Sequence, residues 1–291
     1  MQLKNARTMM IVSMAVFGTL GLFVRYISVS SGELALYRAV MAAGLLTVYF
    51  LVTKQKIDFR AIRKELPLLL LSGMAMGINW IMLFQAYQYT TVSVATLSYY
   101  FAPVLVTLAC PILFKEKITK KQILCFIMSS LGIVLITGIG DVQSDNRNFI
   151  GILFGLSAAV LYATVVLINK FIKDVDDIQR TLLQFVSAVI VLLPYVLLSG
   201  GINIVALSAK SWIFLLIVGL FHTGITYCMY FSSLKSLPGQ QVSILSYIDP
   251  LVAVLISVFI LGEPMNINQI IGGALVLGFT LLNEITLKKS K

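Results

Sequence analysis

Two stretches decide the fold: Val94–Ile123, VATLSYYFAPVLVTLACPILFKEKITKKQI, and Gln241–Ile270, QVSILSYIDPLVAVLISVFILGEPMNINQI. Adding 147 to the numbers of the first carries Tyr100 onto Tyr247, Pro103 onto Pro250, Leu108 onto Leu255, Glu116 onto Glu263, Gln122 onto Gln269 and Ile123 onto Ile270, without a gap. The register extends backwards, pairing Gly77 and Ile78 with Gly224 and Ile225, Met82 with Met229 and Phe84 with Phe231. The chain is therefore an internal duplication. In each copy a proline sits near the middle of an apolar run of about twenty residues, the length that crosses the hydrocarbon core of a bilayer.

The rest of the chain agrees. Of its 291 residues 59% are hydrophobic and only 12% charged, and the mean hydropathy is +0.95, values of a membrane protein rather than a soluble one. The net charge of +10 would suit a polyanion. Its distribution in short segments between apolar runs argues against a nucleic-acid partner. Cys110, Cys125 and Cys228 all lie within apolar runs, with neither disulfide nor metal spacing, and read as packing residues. The first apolar run lacks a small-residue cleavage site and reads as a retained helix.

Ten spans are expected: Thr8–Val24, Glu33–Val52, Leu66–Tyr87, Ser93–Phe114, Ile118–Gly138, Phe149–Asn169, Ile178–Leu198, Ser211–Phe231, Gln240–Leu261 and Asn266–Ile285. The turn-rich seam 138–148 divides them into two halves of five, residues 1–140 and 149–287. With the N-terminus inside, eighteen Lys and Arg fall on inner segments and only Arg25, Arg147 and Lys210 on outer ones. Positively charged loops stay cytoplasmic, so both termini are expected there, in a multi-pass protein of the plasma membrane. An odd number of spans per half makes the second copy enter the bilayer in the opposite sense from the first. Inverted repeats are the build of many secondary transporters, whose halves rock about a site near the midplane.

Ten spans in two five-helix halves, each with a proline-bearing helix that ends in an acid (Phe101-Ala102-Pro103 to Lys115-Glu116-Lys117; Ile248-Asp249-Pro250 to Gly262-Glu263-Pro264), resemble the EamA type of the drug/metabolite transporter superfamily. The resemblance covers nearly the whole chain. It implies an all-helical transporter, often an exporter, of amino acids or other small metabolites. It also implies a cavity formed chiefly by the third, fourth, eighth and ninth helices and helped by the first and sixth.

The polar residues inside the spans are the candidate substrate site. Asp249 is the sharpest: an ionisable group at the bilayer centre costs at least ~2.5 kcal/mol on insertion scales and needs a wet cavity or a partner. Ser243 and Ser246 precede it at three-residue spacing on the same helix face. Pro250 cannot donate a backbone hydrogen bond and frees the Ser246 carbonyl, so a broken helix beside a carboxylate could bind an amine or carry a proton. The alternative is an acid bonded to a neighbouring helix for structure alone. The first copy has Ala102 at this position. His222, the only histidine, shares a four-residue row with Thr226 and Tyr230, beside Thr223 and Tyr227, and reads either as a proton relay or as an interhelical hydrogen-bond donor. Asn79 and Trp80 of the third span match Thr226 and Tyr227, offering a donor and acceptor and a flat wall. Thr96, Tyr99 and Tyr100 mirror Ser243, Ser246 and Tyr247. Tyr100 and Tyr247 either line the cavity or brace the prolines. Pro103 and Pro250 are the expected hinges. Arg38, where the family often carries a basic residue, can compensate Glu33 or Asp249, snorkel outward or contact a substrate carboxylate. Glu116 and Glu263 read as helix-end caps, and Gly18, Gly21, Gly73, Gly77, Gly272 and Gly273 as close-packing sites.

No cofactor, metal site, phosphate-binding loop or catalytic constellation is expected, so the chain does not read as an enzyme. The expected partners are a small metabolite, membrane lipid and, through Asp249 or His222, protons; monomer and homodimer are both open. The competing readings are a non-transporting scaffold or sensor on a transporter fold, and a facilitative, channel-like permease.

Overall fold

The computed structural model describes residues 3–54, 59–114, 119–137, 146–234, 236–237 and 239–287. Lys56, Lys115, Glu116, Lys117, Lys235, Lys288, Lys289, Lys291 and most of the seam lie outside them, as does the side chain of Ser243. The described residues form helices and no strand: α1 Leu3–Gly18, α2 Leu20–Val24, α3 Ser31–Thr53, α4 Phe59–Tyr89, α5 Val92–Tyr99, α6 Ala102–Phe114, α7 Lys120–Thr137, α8 Asn146–Phe171, α9 Asp177–Ser199, α10 Ala209–Leu216, α11 Thr226–Leu234, α12 Gly239–Ser246, α13 Ile248–Phe259 and α14 Ile267–Leu287. A π-helical stretch, Ile217–Ile225, joins α10 to α11, and a short 3₁₀ turn, Ile204–Ala206, precedes α10.

Together these make ten apolar spans. Eight are long and apolar enough to cross a membrane, and two shorter ones, Ile244–Phe259 and Ile267–Asn283, complete the bundle. Several spans are broken where the sequence removes or competes for backbone bonds. α5 gives way to α6 at Tyr100–Phe101, just before Pro103, and α12 to α13 at Tyr247, just before Pro250. Each proline leaves the carbonyl four residues back without its helical donor, as expected. The first span also breaks, at Thr19, whose hydroxyl turns back to the Val16 carbonyl at 2.7 Å.

Two expectations are corrected. α4 begins at Phe59 rather than Leu66, with Pro67 inside it; the carbonyl that Pro67 orphans is that of Arg63, in the basic first turns where water can satisfy it. The eighth span is not a regular α-helix. Its π-helical turn bonds side chains to carbonyls five residues back, Thr223 to Val218 at 2.9 Å and Thr226 to Phe221 at 2.8 Å. The rows expected at four-residue spacing therefore drift around the helix, as a wider turn requires.

Helix starts explain part of the duplication. Thr119 and Gln122 form a reciprocal capping box at the start of α7, Gln122 N to Thr119 Oγ1 at 3.2 Å and Thr119 N to Gln122 Oε1 at 2.7 Å. Asn266 and Gln269 repeat it at α14, at 2.8 and 3.1 Å. The glutamines that match in register are thus the two members that reach back to the cap residue. Ser30 with Glu33 caps α3 in the same way.

Packing follows a pattern. α4 packs on α8 and α9, while α11 packs on α1 and the π-helical stretch on α3; α5 and α6 pack on α8, while α12 and α13 pack on α1. α3 meets α9, α5 meets α13, and α7 lies chiefly along α14. Replacing each element by its counterpart 147 positions away turns α4 on α8 into α11 on α1, α4 on α9 into the π-helical stretch on α3, and α5 and α6 on α8 into α12 and α13 on α1, while α3 with α9 and α7 with α14 map onto themselves. Small residues allow the closest approaches: a Cβ at Gly132 would lie 2.6 Å from the Gly272 carbonyl oxygen, and one at Gly18 would lie 2.5 Å from the carbonyl oxygen of Asp249. Between α8 and α9, Asp174 meets Lys64 at 2.6 Å, and this hydrogen-bonded ammonium holds the Asp174 carboxyl below the usual carboxylate range.

Candidate functional site

The two broken helices meet. The Tyr100 hydroxyl donates to Asp249 Oδ2 at 2.7 Å and lies 3.5 Å from the Ser246 carbonyl oxygen, the group that Pro250 frees. Tyr100 and Tyr247, symmetry mates in the sequence, have ring centroids 6.3 Å apart. Tyr99 packs edge-on against Tyr100 at 6.0 Å and, tilted, against Tyr162 of α8 at 5.4 Å. The Tyr87 hydroxyl lies 3.5 Å from that of Thr96. Tyr99, Tyr100, Ser246 and Asp249 are half-buried, whereas Thr96 is buried. The break in each copy thus presents a polar face to the other.

The first span closes one side. Gly18 lets the chain approach the Asp249 backbone, and Phe17 stands edge-on to Tyr227 at 5.1 Å and to Tyr230 at 6.1 Å. Thr19 Oγ1 is 2.7 Å from His222 Nε2, while His222 Nδ1 is 3.3 Å from the Ile217 carbonyl oxygen, five residues back along the π-helical stretch. The ring has two consistent states. Neutral, it donates from Nδ1 to Ile217 and accepts the Thr19 hydroxyl at Nε2. Protonated, it donates from both nitrogens, and the Thr19 hydroxyl turns its own proton to the Val16 carbonyl. One hydroxyl rotation separates the two.

Arg38 is 3% exposed and neither snorkels nor pairs with Glu33. Glu33 is occupied by the Ser30 cap, the Tyr37 hydroxyl at 3.1 Å and the Asn203 backbone N–H at 2.7 Å. Arg38 Nε donates to Thr223 Oγ1 at 2.9 Å, and its guanidinium lies over Trp80 at 4.6 Å and Phe84 at 5.2 Å. Trp80, 6% exposed, supports this cation and packs on Phe185 at 5.8 Å, so it does not face lipid. Asn79 uses its amide to hold the Ala158 carbonyl of α8 at 2.6 Å. Thr226, back-bonded to its own helix, is likewise buried. In this conformation Asn79, Thr96 and Thr226 make internal bonds, and the accessible polar set is Tyr99, Tyr100, Tyr227, Ser246 and Asp249. Phe17, Thr19, Tyr87 and Tyr162 join the site without having been singled out. The one sequence signal for them is the Gly18-Thr19 interruption of the first apolar run.

At the end of the bundle away from Leu3 and Leu287, Glu263 gathers three elements. Its carboxylate pairs with Arg25, accepts the backbone N–H of Val92 at 2.7 Å and accepts the Ser257 hydroxyl at 2.5 Å. Ser257 Oγ in turn accepts the Ser93 N–H at 3.2 Å, and Arg25 also reaches the Thr90 carbonyl at 3.2 Å. Glu263 is therefore a helix cap, as expected, but it caps α5 of the other copy.

Ten apolar spans, whose breaks bring a carboxylate and tyrosines together and whose unbroken α3 carries a buried arginine, define a multi-pass membrane protein with a polar centre. Comparison with known proteins gives the family: the EamA-like transporter family matches over residues 5–138 and 149–284, and the chain belongs to it. It is 30% identical over 272 residues to the uncharacterized transporter YxxF of Bacillus subtilis (strain 168), covering 93% of this chain and 86% of that one. It is 28% identical over 231 residues to an uncharacterized transporter of Clostridium kluyveri, covering 78% and 74%. A solved crystal structure, 13% identical, aligns over 99% of both chains with a TM-score of 0.64, a likeness of fold. The chain is thus a membrane transporter by family.

Proposed function

We propose that this protein is a secondary transporter that exports amino acids or related small metabolites by alternating access about the site at Asp249. The halves 1–140 and 149–287 act as inverted repeats in the plasma membrane, with both termini cytoplasmic, and Pro103 and Pro250 serve as hinges. One observation carries the reading. The only carboxylate of the accessible polar set is held across the break between the copies by Tyr100, at 2.7 Å. A contact between the breaks of two helices from different halves is where relative motion of the halves would be felt first. Support also comes from the packing pattern, since most contacts of one half have a counterpart in the other when each element is exchanged for the one 147 positions away. In this reading the Arg25–Glu263 clasp closes the outer end. Asp249 and His222 are the proton-coupling residues, His222 through the rotation of the Thr19 hydroxyl.

Uptake into proteoliposomes, with a panel of amino acids, amines and nucleobases and with or without a pH gradient, tests the proposal. Saturable flux that Asp249→Asn abolishes or uncouples supports it. Correctly inserted protein that moves nothing in the panel would favour the scaffold or sensor reading. Flux that never saturates would favour a channel-like permease.

A further inference from the structure

The stretch Ile217–Ile225 winds more widely than an α-helix, while the matching stretch of the first copy, residues 70–78, is regular α-helix within α4. Side chains hold the wide turn. His222 Nδ1 lies 3.3 Å from the Ile217 carbonyl oxygen, and the hydroxyls of Thr223 and Thr226 donate to the carbonyls of Val218 and Phe221, each five residues back. Ala75 and Met76 stand where His222 and Thr223 stand and offer no such bond, so duplication alone did not supply the turn. α3 fits only this wide form. Its Arg38, Met41 and Leu45 share one face and meet Thr223, Gly219 and Gly224: a Cβ at Gly219 would run into Met41 Sδ, and one at Gly224 would lie 2.7 Å from Leu45 Cδ1. The two glycines are five residues apart. At about 100° per residue an α-helix would point them about 140° apart, and both could not seat on α3.

Arg38 fastens the turn to α3. Among the described residues it belongs to no ion pair, its Nη1 is buried without a partner, and its one described hydrogen bond runs from Nε to Thr223 Oγ1 at 2.9 Å. A buried cation without a counter-ion costs stability, and such groups are best attested where they fix a register. A guanidinium only donates, so the Thr223 oxygen accepts from it and sends its own proton to the Val218 carbonyl, the bond that keeps the turn wide. We infer that Ile217–Ile225 is a register switch and Arg38 its positioning residue. With α3 in place the stretch stays π-helical; when α3 withdraws it tightens to α-helix and turns α11, with Tyr227, about 100° against α10 for the residue absorbed. α3 belongs to the first half and the stretch to the second, so relative motion of the halves turns one wall of the site. The use of the switch rests on the transporter reading above; its geometry does not.

Cys228, half-buried on α11 beside Tyr227, reports the turn. With Cys110→Ala and Cys125→Ala it is the sole thiol, and its rate of reaction with a maleimide is read on the purified protein. Thr223→Val keeps the side-chain shape and removes the hydroxyl. It and Arg38→Met should each change the rate about tenfold to a hundredfold, the factor that a hydrogen bond to a charged group carries, while Thr223→Ser should keep the parent rate. Deletion of Leu220, exposed on the stretch, removes the surplus residue. The shortened protein should fold with α10 and α11 unturned, and in it Thr223→Val should change the rate less than about twofold. Equal effects of Thr223→Val with and without the deletion would overturn the switch, as would a rate that neither Thr223→Val nor Arg38→Met alters. Failure of the shortened protein to insert and fold would overturn it too, because only a surplus residue can leave a helix without turning everything beyond it. In liposomes the deletion should lower turnover at least about tenfold with apparent affinity within about threefold; unchanged turnover would refute a role in the cycle. A parent protein that carries no solute would sink the transporter reading and leave the labelling result standing.

Discussion

Glu263→Gln tests how the bundle is closed at the end where Arg25 meets Glu263. The carboxylate makes three contacts there, with Arg25, the Val92 N–H and the Ser257 hydroxyl, and each joins a different helix. Glutamine keeps one acceptor oxygen but turns an N–H donor toward a site built of donors. The ion pair is partly exposed, with side chains 35% and 13% accessible, and so contributes at most ~1 kcal/mol. Losing a carboxylate cap at the start of α5 costs about another 1 kcal/mol. A total near 2 kcal/mol, at 1.4 kcal/mol per factor of ten, raises the population open at this end roughly thirtyfold. The assay is thiol labelling. In a variant with the three native cysteines replaced and Ser246→Cys added, a membrane-impermeant maleimide is applied from the clasp side, and the labelling rate is read with and without Glu263→Gln. A rate change near thirtyfold is expected. If Glu263→Gln and Arg25→Gln both leave the rate within twofold, these contacts hold no gate closed and the reasoning fails.

Other expectations follow from the same geometry. Asp249→Asn or His222→Gln should make solute flux indifferent to a pH gradient while solute exchange survives, as measured by counterflow; a parent flux already indifferent to pH would assign neither residue a proton. Pro103→Ala and Pro250→Ala restore an N–H to the carbonyls of Tyr99 and Ser246, so they should slow turnover severalfold with little change in apparent affinity. Gly132→Ala places a methyl group 2.6 Å from the Gly272 carbonyl oxygen and 2.9 Å from Val276, and should lower the melting temperature through about 1–3 kcal/mol of overpacking between α7 and α14. Cysteine at position 144 should be labelled from outside sealed cells, whereas cysteine at 56 or 289 should not; labelling at 56 would reverse the orientation.

Much of the fold was legible because a bilayer and a duplication both write plainly. Apolar length set the spans, the prolines set the breaks at Tyr100 and Tyr247, and the matched Gln122 and Gln269 proved to be halves of two capping boxes. The π-helical turn at Ile217–Ile225 was not legible. In a span that is apolar nearly all round, hydrophobic periodicity carries little phase information, and one extra residue per turn leaves no mark on it. The destination of Glu263 was hidden for another reason: its partner Val92 lies 171 positions away, and nothing local in either segment names the other.

The site was legible as a list but not as an arrangement. Reading the duplication as symmetry with exceptions singled out Asp249 against Ala102 and Trp80 against Tyr227, and His222 stood out as the only histidine. In the structure these exceptions do different things. Trp80 bears Arg38, His222 ties the π-helical stretch to Thr19, and Asp249 receives Tyr100 from the other copy. Of the three, only Asp249 is half-buried; Trp80 and His222 act on the centre through a cation and a hydroxyl. Trp80→Phe and His222→Gln should therefore alter affinity or coupling indirectly, by freeing Arg38 or Thr19, whereas Asp249→Asn should remove a direct contact. The distinction can be measured. An indirect effect depends on its intermediary, so Trp80→Phe and Arg38→Lys should be strongly non-additive in solute affinity, while Trp80→Phe and Asp249→Asn should come closer to additivity. Additivity of the first pair would show that Trp80 meets the solute itself, and the tryptophan would return to the wall of the site.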